Sequence, residues 1–206
     1  MVAADGLHSG LRRELGLDTP PALRPRYGLR QHFAVAPWSD LVEVHWSTSA
    51  EAYVTPVSES VVGVAVLTGT RGLGFADHLK AFPVLAQRLT GAQPMSAVRG
   101  AGPLGQGSSR RVAGRVLLVG DAAGYVDALT GEGVAVGLAQ AAALVGCLAR
   151  GRPQDYEQAW RAVSRRSRLL TRAVLFAAQH RRLRAGLLPA AAGAPAVFRA
   201  AVDALA

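Results

Sequence analysis

The run Arg115-Val-Leu-Leu-Val-Gly-Asp-Ala-Ala-Gly-Tyr-Val-Asp-Ala-Leu-Thr-Gly-Glu-Gly-Val134 constrains the chain more than any other stretch. Val116 to Val119 is a short continuous apolar run, the pattern of a buried strand in a parallel-type sheet. It delivers Gly120 and Asp121 to its carboxyl end, the edge at which open α/β sheets bind ligands. A loop over residues 120–131 follows, then a helix from about Glu132 to Leu148. Gly120 permits close backbone approach, and Asp121 supplies a carboxylate that accepts hydrogen bonds from sugar hydroxyls. Gly131 to Gly133 expose backbone amides at a helix start, where partial positive charge collects.

The surroundings of this run divide into distinct textures. Val2-Ala3-Ala4 reads as the end of a strand, Asp5-Gly6 as a turn, and Ser9 as the N-cap of a short helical run through Leu15. Thr19-Pro20-Pro21, with Pro25 close behind, predicts an extended connector. Four strand-like segments follow: Leu29 to Val35, Leu41 to Trp46, Ala52 to Val57 and Val61 to Leu67. Their short connections predict an antiparallel meander, since a parallel crossover needs a dozen or more residues. Phe82, Leu85, Ala86 and Leu89 fall at helical spacing within residues 76–90, and Gly91 ends that helix. Residues 96–114 read as a glycine- and serine-rich loop. A long helix is predicted from Asp155 to Arg184, with Tyr156, Trp160, Val163, Leu170, Val174 and Ala177 along one face. The Ala- and Pro-rich stretch beyond Gly186 predicts a loosely ordered or short helical tail.

Two motifs carry a family resemblance. GDAAGYVDALTGEGV, residues 120–134, resembles the glycine-aspartate motif of FAD-dependent monooxygenases, and its wording is closest to the geranylgeranyl-reductase-like branch of that group. Asp5-Gly6-Leu7-His8-Ser9-Gly10-Leu11-Arg12 is similar to the D-G-x-x-S-x-x-R pattern of the same families. The resemblance is motif-specific at residues 2–13 and 115–140 and organisational between them. It implies an α+β fold: the C-terminal part of a FAD-binding fold of the p-hydroxybenzoate hydroxylase type, with an antiparallel substrate-covering sheet. Residues 1–18 and 112–150 would form a partial FAD-binding domain, 26–111 the sheet domain and 151–206 a C-terminal helical segment. The implied cofactor is FAD, with NAD(P)H a candidate electron donor and a small lipid-like or aromatic molecule as substrate. Asp121 would meet the ribityl chain beside Gly120, and Gly131, Glu132, Gly133 and Val134 the pyrimidine edge of the flavin. Asp5 and Arg12 would lie near the cofactor. A helix start there favours negative charge on reduced flavin. Gly124, where monooxygenases often carry histidine, points to the reductase-like branch, and Ala128 stands where many relatives have proline.

These families begin with a strand, a G-x-G-x-x-G turn and a helix, whereas this chain starts at the aspartate-glycine motif. Gly100-Ala-Gly102-Pro-Leu-Gly105 matches that pattern literally, but Pro103 sits inside it, a polar loop continues it, and no acidic residue follows at the right interval. The expectation is therefore a truncated or split FAD-dependent oxidoreductase, with a separate N-terminal FAD-binding half as partner. The alternative is a non-catalytic remnant or binding module that does not retain FAD.

The remaining features are blander. The formal charge is +9, and arginines crowd residues 150–184. Acidic residues open that helix and no nucleic-acid module accompanies it, so a packed helix with a solvated basic face is expected, and no nucleic-acid partner. Peripheral contact with anionic lipid is its other use. Glu132 and Gln140 interrupt the apolar stretch from Leu129 to Ala149, which reads as a buried helix rather than a membrane span. No signal-peptide pattern opens the chain, and a cytoplasmic location is expected. The five histidines form no i,i+4 pair or Cys/His cluster, so no metal site is expected. His32 and His45 fall on sheet strands, yet no catalytic acid or base is identifiable from spacing. Cys147 reads as a small buried apolar residue, Asp127 as the centre of an Asx turn, and Ser108-Ser109-Arg110-Arg111 as a solvated basic loop.

Overall fold

The computed structural model describes residues 1–21, 24–179 and 193–194. The chain divides into two compact units, Met1–Leu23 with Gly105–Ala206, and Arg24–Leu104. In chain order it forms β1 (Val2–Ala3), α1 (Gly10–Glu14), β2 (Asp18–Thr19), β3 (Tyr27–Ala34), β4 (Glu43–Trp46), β5 (Ala50–Ser58) and β6 (Val61–Thr68). Then come α2 (Phe75–Leu79), α3 (Pro83–Arg88), β7 (Gln93–Pro94), β8 (Arg99–Ala101), β9 (Gly107–Ser108), β10 (Val112–Ala113), β11 (Val116–Leu118), α4 (Gly133–Ala149) and α5 (Tyr156–Gln179).

In the first unit β11 lies between β1 and β10. It pairs parallel to β1, with Val2 beside Leu117 and Ala3 beside Leu118, which is the pairing its unbroken apolar run anticipates. Leu117, Leu118, Leu144, Cys147, Tyr156 and Trp160 form one core, and the Tyr156 hydroxyl donates to the Leu118 carbonyl at 3.1 Å. Ser9 caps α1 by accepting from the Arg12 amide at 3.0 Å, as its position ahead of the helix foretold. Thr19, where the expected connector begins, belongs instead to a strand, because β2 pairs antiparallel with β9. Neither two-residue partner carries a strand signature of its own.

The buried face of α5 also differs from expectation. Val163 is exposed, and the buried positions are Tyr156, Trp160, Ser164, Thr171, Leu175 and Ala178. Ser164 and Thr171 face polar partners, Gln140 and Thr130, so a reading guided by hydrophobicity alone chooses the neighbouring stripe. Residues 180–184 of the expected helix, His180 among them, and the tail beyond Gly186 apart from residues 193–194 lie outside the described residues. No helix of the described residues is long and apolar enough to cross a membrane.

The second unit is an antiparallel sheet in the order β4-β5-β6-β3-β7, with β8 also on β3. The meander holds for β4 to β6, but β3 lies beside β6, with Phe33 opposite Val62. One sheet face contributes Phe33, Val54, Val62, Val64 and Val66 to a core closed by Phe75, Phe82, Leu85 and Leu89. The single helix expected over 76–90 is two, because Pro83 has no N–H to continue a helix and instead opens α3 with Phe82 as its N-cap. The G-x-G-x-x-G look-alike ends β8 and continues as irregular backbone from Gly102, which lies against Tyr27. No helix follows it, which accords with its rejection as a pyrophosphate loop.

Candidate functional site

The site grows from the end of β11. The Val119 amide makes the last bond to β1, donating to the Ala3 carbonyl at 2.9 Å. Gly120 then turns to φ +64°, where a side chain is disfavoured, and a short 3₁₀ turn carries residues 120–123. Two side chains fix this turn. The Gly120 amide donates to Gln140 Oε1 at 2.8 Å, and Gln140 Nε2 donates to Ser164 Oγ at 3.0 Å. From the other side Arg12, 2% exposed, spends all five guanidinium N–H groups on the protein. They go to Asp18 Oδ1 (2.5 Å), the carbonyls of Asp121 (3.3 Å), Ala122 (3.1 Å) and Leu7 (2.9 Å), and Gln106 Oε1 (3.4 Å).

The Asp121 carboxylate is the group left over. No described residue hydrogen-bonds it, and burial pushes its pKa above the ordinary carboxylate value. It borders a cleft of about 50 Å³, lined also by Gly120, Tyr125, Glu132, Gly133 and Arg168. A Cβ added at Gly120 or Gly131 would meet nothing within 4 Å, so the backbone at both positions faces open space. Tyr125 lies against the start of α4, its ring 3.7 Å from where a Gly133 Cβ would be. Burial first, then the charges of Asp121 and Asp127, push its phenol pKa well up, so it remains a neutral donor.

Across the cleft α4 begins without a side-chain cap. Gly131, at φ +73°, turns the chain into Glu132. The Glu132 carboxylate accepts from Ser167 Oγ at 2.9 Å rather than folding back onto the helix. A 17-residue helix thus offers its first-turn amides to the outside, with the positive end of its dipole. Two guanidinium groups lie over the Trp160 ring, with Arg111 Cζ 3.5 Å and Arg168 Cζ 5.0 Å from its centre. Burial, then repulsion from Arg172 and Arg111, pushes Arg168 down to about 10, so it stays charged at neutral pH.

No protein-family model matches the chain. Over 146 residues it is 29% identical to digeranylgeranylglycerophospholipid reductase 1 of Methanothermobacter thermautotrophicus, a match covering 67% of this chain and 37% of that protein. A second such reductase, from Methanosphaera stadtmanae, is 29% identical over 65% of this chain and 36% of its own. The chain therefore spans little more than a third of these curated relatives. Among solved structures, the Diels-Alderase PyrE3 covers 99% of this chain with a TM-score of 0.75 at 22% identity, over 49% of its own length. PqsL, a probable FAD-dependent monooxygenase from Pseudomonas aeruginosa, covers 91% with a TM-score of 0.64 at 24% identity, over 58% of its own length. Halogenase PltM, solved with FAD, covers 88% with a TM-score of 0.69 at 17% identity, over 44% of its own length. The chain shares the fold of these solved proteins over most of its length.

Within that fold the residues expected from sequence take unequal places. Gly120, Asp121, Glu132 and Gly133 line one cleft. Gly131 and Val134 flank the helix start and are exposed. Arg12 reaches the loop backbone with no N–H group to spare for a ligand, and Asp5 works at the start of α1. Burial raises the Asp5 pKa, but the Ser9 hydroxyl and the amides of Leu11 and Gly10 outweigh it and hold the carboxyl below its ordinary value. Asp127 accepts from the Leu129 amide at 3.0 Å, the Asx turn its spacing suggested. The loop over residues 108–111 is not solvated throughout. Ser108 and Arg111 are buried, because Glu157 and Trp160 on α5 supply a carboxylate 3.1 Å from Arg111 Nη1 and an aromatic face beneath its guanidinium. His32 and His45 lie in the other unit, beside Ser96 and Glu43. Among the described residues no group of three or more His, Cys, Asp or Glu gathers to hold a metal. Sequence reading missed Tyr125, Gln140, Ser167 and Arg168 as members of the site. Only Gln140 carried a signal, as a lone amide inside an apolar helix.

Proposed function

We propose that this chain is part of a FAD-dependent oxidoreductase and holds the ribityl chain of FAD at Asp121, with the flavin pyrimidine edge at the start of α4. The half-buried Asp121 carboxylate, held without a donor among the described residues beside open backbone at Gly120, carries this reading. A carboxylate in that setting is costly unless a ligand donates to it, and a polyhydroxylated chain does so. The cleft of about 50 Å³ has room for a segment of the cofactor rather than the whole, so a separate N-terminal half that holds the remainder belongs to the proposal. Flavin, if bound, would supply hydride to the substrate of a reductase or activate dioxygen in a monooxygenase. The chain's own contribution is electrostatic: first-turn amides of α4 stabilise negative charge at the pyrimidine edge, and Tyr125 offers a neutral hydroxyl to the same cleft.

The named relatives suggest the substrate class. Two curated relatives are reductases of an isoprenoid lipid, and PltM has been solved with phloroglucinol, so a small lipid-like or aromatic substrate is proposed, with reduction favoured by the sequence matches. NAD(P)H is the proposed electron donor.

Asp121→Asn separates binding from stability. A carboxyl whose pKa is higher folded than unfolded favours folding at low pH, and that contribution is lost as pH rises through the folded value. At neutral pH the charged form is therefore a burden, and the Asn variant is expected to melt at a higher temperature than the wild type. The same variant is expected to bind FAD or riboflavin about 10- to 100-fold more weakly, the value of hydrogen bonds to a charged acceptor. Flavin fluorescence titration and thermal melts measure the two. Equal flavin affinity in both proteins rejects Asp121 as the ribityl acceptor, and failure of the wild type to bind any flavin favours the non-catalytic alternative.

A pH series gives an independent reading. Donors from a ligand favour the ionised carboxyl, so flavin affinity is expected to rise with pH through the elevated pKa of Asp121 and then level off. In Asp121→Asn the profile is expected to be flat over that window; parallel profiles in the two proteins would assign the titration to another group.

A further inference from the structure

We infer that Gln140, braced by Ser164, is the positioning residue that aims Asp121 into the cleft. The strand ladder ends at Val119, so the Gly120 amide is the first in the chain without a strand partner. Gln140 supplies that partner at 2.8 Å. An N–H can only donate, so Oε1 must face Gly120 and Nε2 must face Ser164, whose hydroxyl accepts at 3.0 Å. Gln140 is 3% exposed and Ser164 fully buried, which leaves no bulk water to replace either bond.

The register this creates is what matters. Gln140 lies two turns beyond Gly133 on the same helix that presents its first amides to the cleft. Its bond to Gly120 ties the loop that carries the carboxylate to the helix that carries those amides. The helix approaches closely there: a Cβ at Gly137 would meet Gly120 Cα at 3.7 Å. Arg12 holds the carbonyls of Asp121 and Ala122 from the opposite side. With the amide of residue 120 and the carbonyls of 121 and 122 all engaged, the side chain of Asp121 is the remaining freedom. Arg12 fixes the loop to α1, and Gln140 fixes it to the helix start across the cleft.

The identity of the bound molecule rests on the flavin reading above, but the aiming of the carboxylate does not. Gln140→Met keeps the length of the side chain and removes both hydrogen bonds, while Ser164→Ala removes only the brace and leaves the Gly120 acceptor in place. The Asp121 carboxyl is titrated by carbon NMR in the full chain, and riboflavin and FAD are titrated by fluorescence. In Gln140→Met the Asp121 titration is expected to move down toward the ordinary carboxylate range as the released side chain reaches water, and flavin affinity to fall about tenfold. Ser164→Ala is expected to shift both in the same direction by less, and it decides the matter if the Met variant does not fold. A lower melting temperature with the Asp121 titration and flavin affinity unchanged would reduce Gln140 to a packing residue and overturn the inference. If the titration moves while the wild type binds no flavin, the positioning role stands and the flavin reading falls.

Discussion

Replacing Arg12 with leucine is expected to cost the first unit about 3–5 kcal/mol, lowering its melting temperature by about 10 °C. The cost does not come from the ion pair. Asp18 is 45% exposed, so its carboxylate regains water when the guanidinium is gone. It comes from the carbonyls of Leu7, Asp121 and Ala122, which accept from Arg12 at 2.9 to 3.3 Å; of the three, Asp121 keeps a second donor, the Gly124 amide at 3.1 Å. Leucine fills part of the volume and offers no N–H. Lysine is the sharper comparison, because it keeps the charge but concentrates its donors on one nitrogen and cannot span acceptors on both sides of a planar fork. Arg12→Lys is expected to recover less than half of the loss. Thermal and urea denaturation of the three proteins checks this, and a leucine variant melting within about 2 °C of wild type would show that water replaces the guanidinium.

Arg12, which the sequence placed near the cofactor, holds the backbone of the loop that carries Asp121. The aspartate-glycine motif was legible as a turn followed by a Ser-capped helix because those signals are local: Ser9 meets the amide of Arg12 three residues on. The use of Arg12 was not legible, since the carbonyls it holds lie 109 and 110 positions away. The same distinction runs through the fold. Val116–Leu118, the helix after Gly131 and the four long strands announce themselves by runs and alternation, and their observed bounds fall close to the expected ones. The order of β3 beside β6, the pairing of β2 with β9 and the rotation of the α5 face depend on which distant residue each meets. In the site, Asp121 and the glycines follow from the chemistry a loop at a strand end can perform. Gln140 and Arg168 enter only once α4 and α5 are packed against that loop.

The second unit has its own buried charge, and removing half of it is expected to be as damaging as the loss of Arg12. Arg26 Nη2 donates to Glu51 Oε2 where the two side chains are 6% and 8% exposed. Glu51→Ala removes one partner of this buried pair, a change worth about 3–5 kcal/mol. Arg26→Met combined with Glu51→Leu removes both charges and keeps the volume, so the double variant is expected to lie within about 1–2 kcal/mol of wild type, well above either single change. Chemical denaturation of wild type, Arg26→Met, Glu51→Leu and the double variant yields the coupling directly; additive losses would mean that neither charge depends on the other. The position of the pair gives it a further consequence. Arg26 is near the point where the chain joins this unit, and its carbonyl accepts from the amide of Leu104, where the chain leaves, at 2.8 Å. Glu51, on β5 and in register with Leu67 of β6, thus anchors the incoming and outgoing segments to the middle of the sheet. Loss of its carboxylate is expected to speed amide exchange at Leu104 before the β5–β6 ladder opens, because the clasp is released while the sheet's own hydrogen bonds remain.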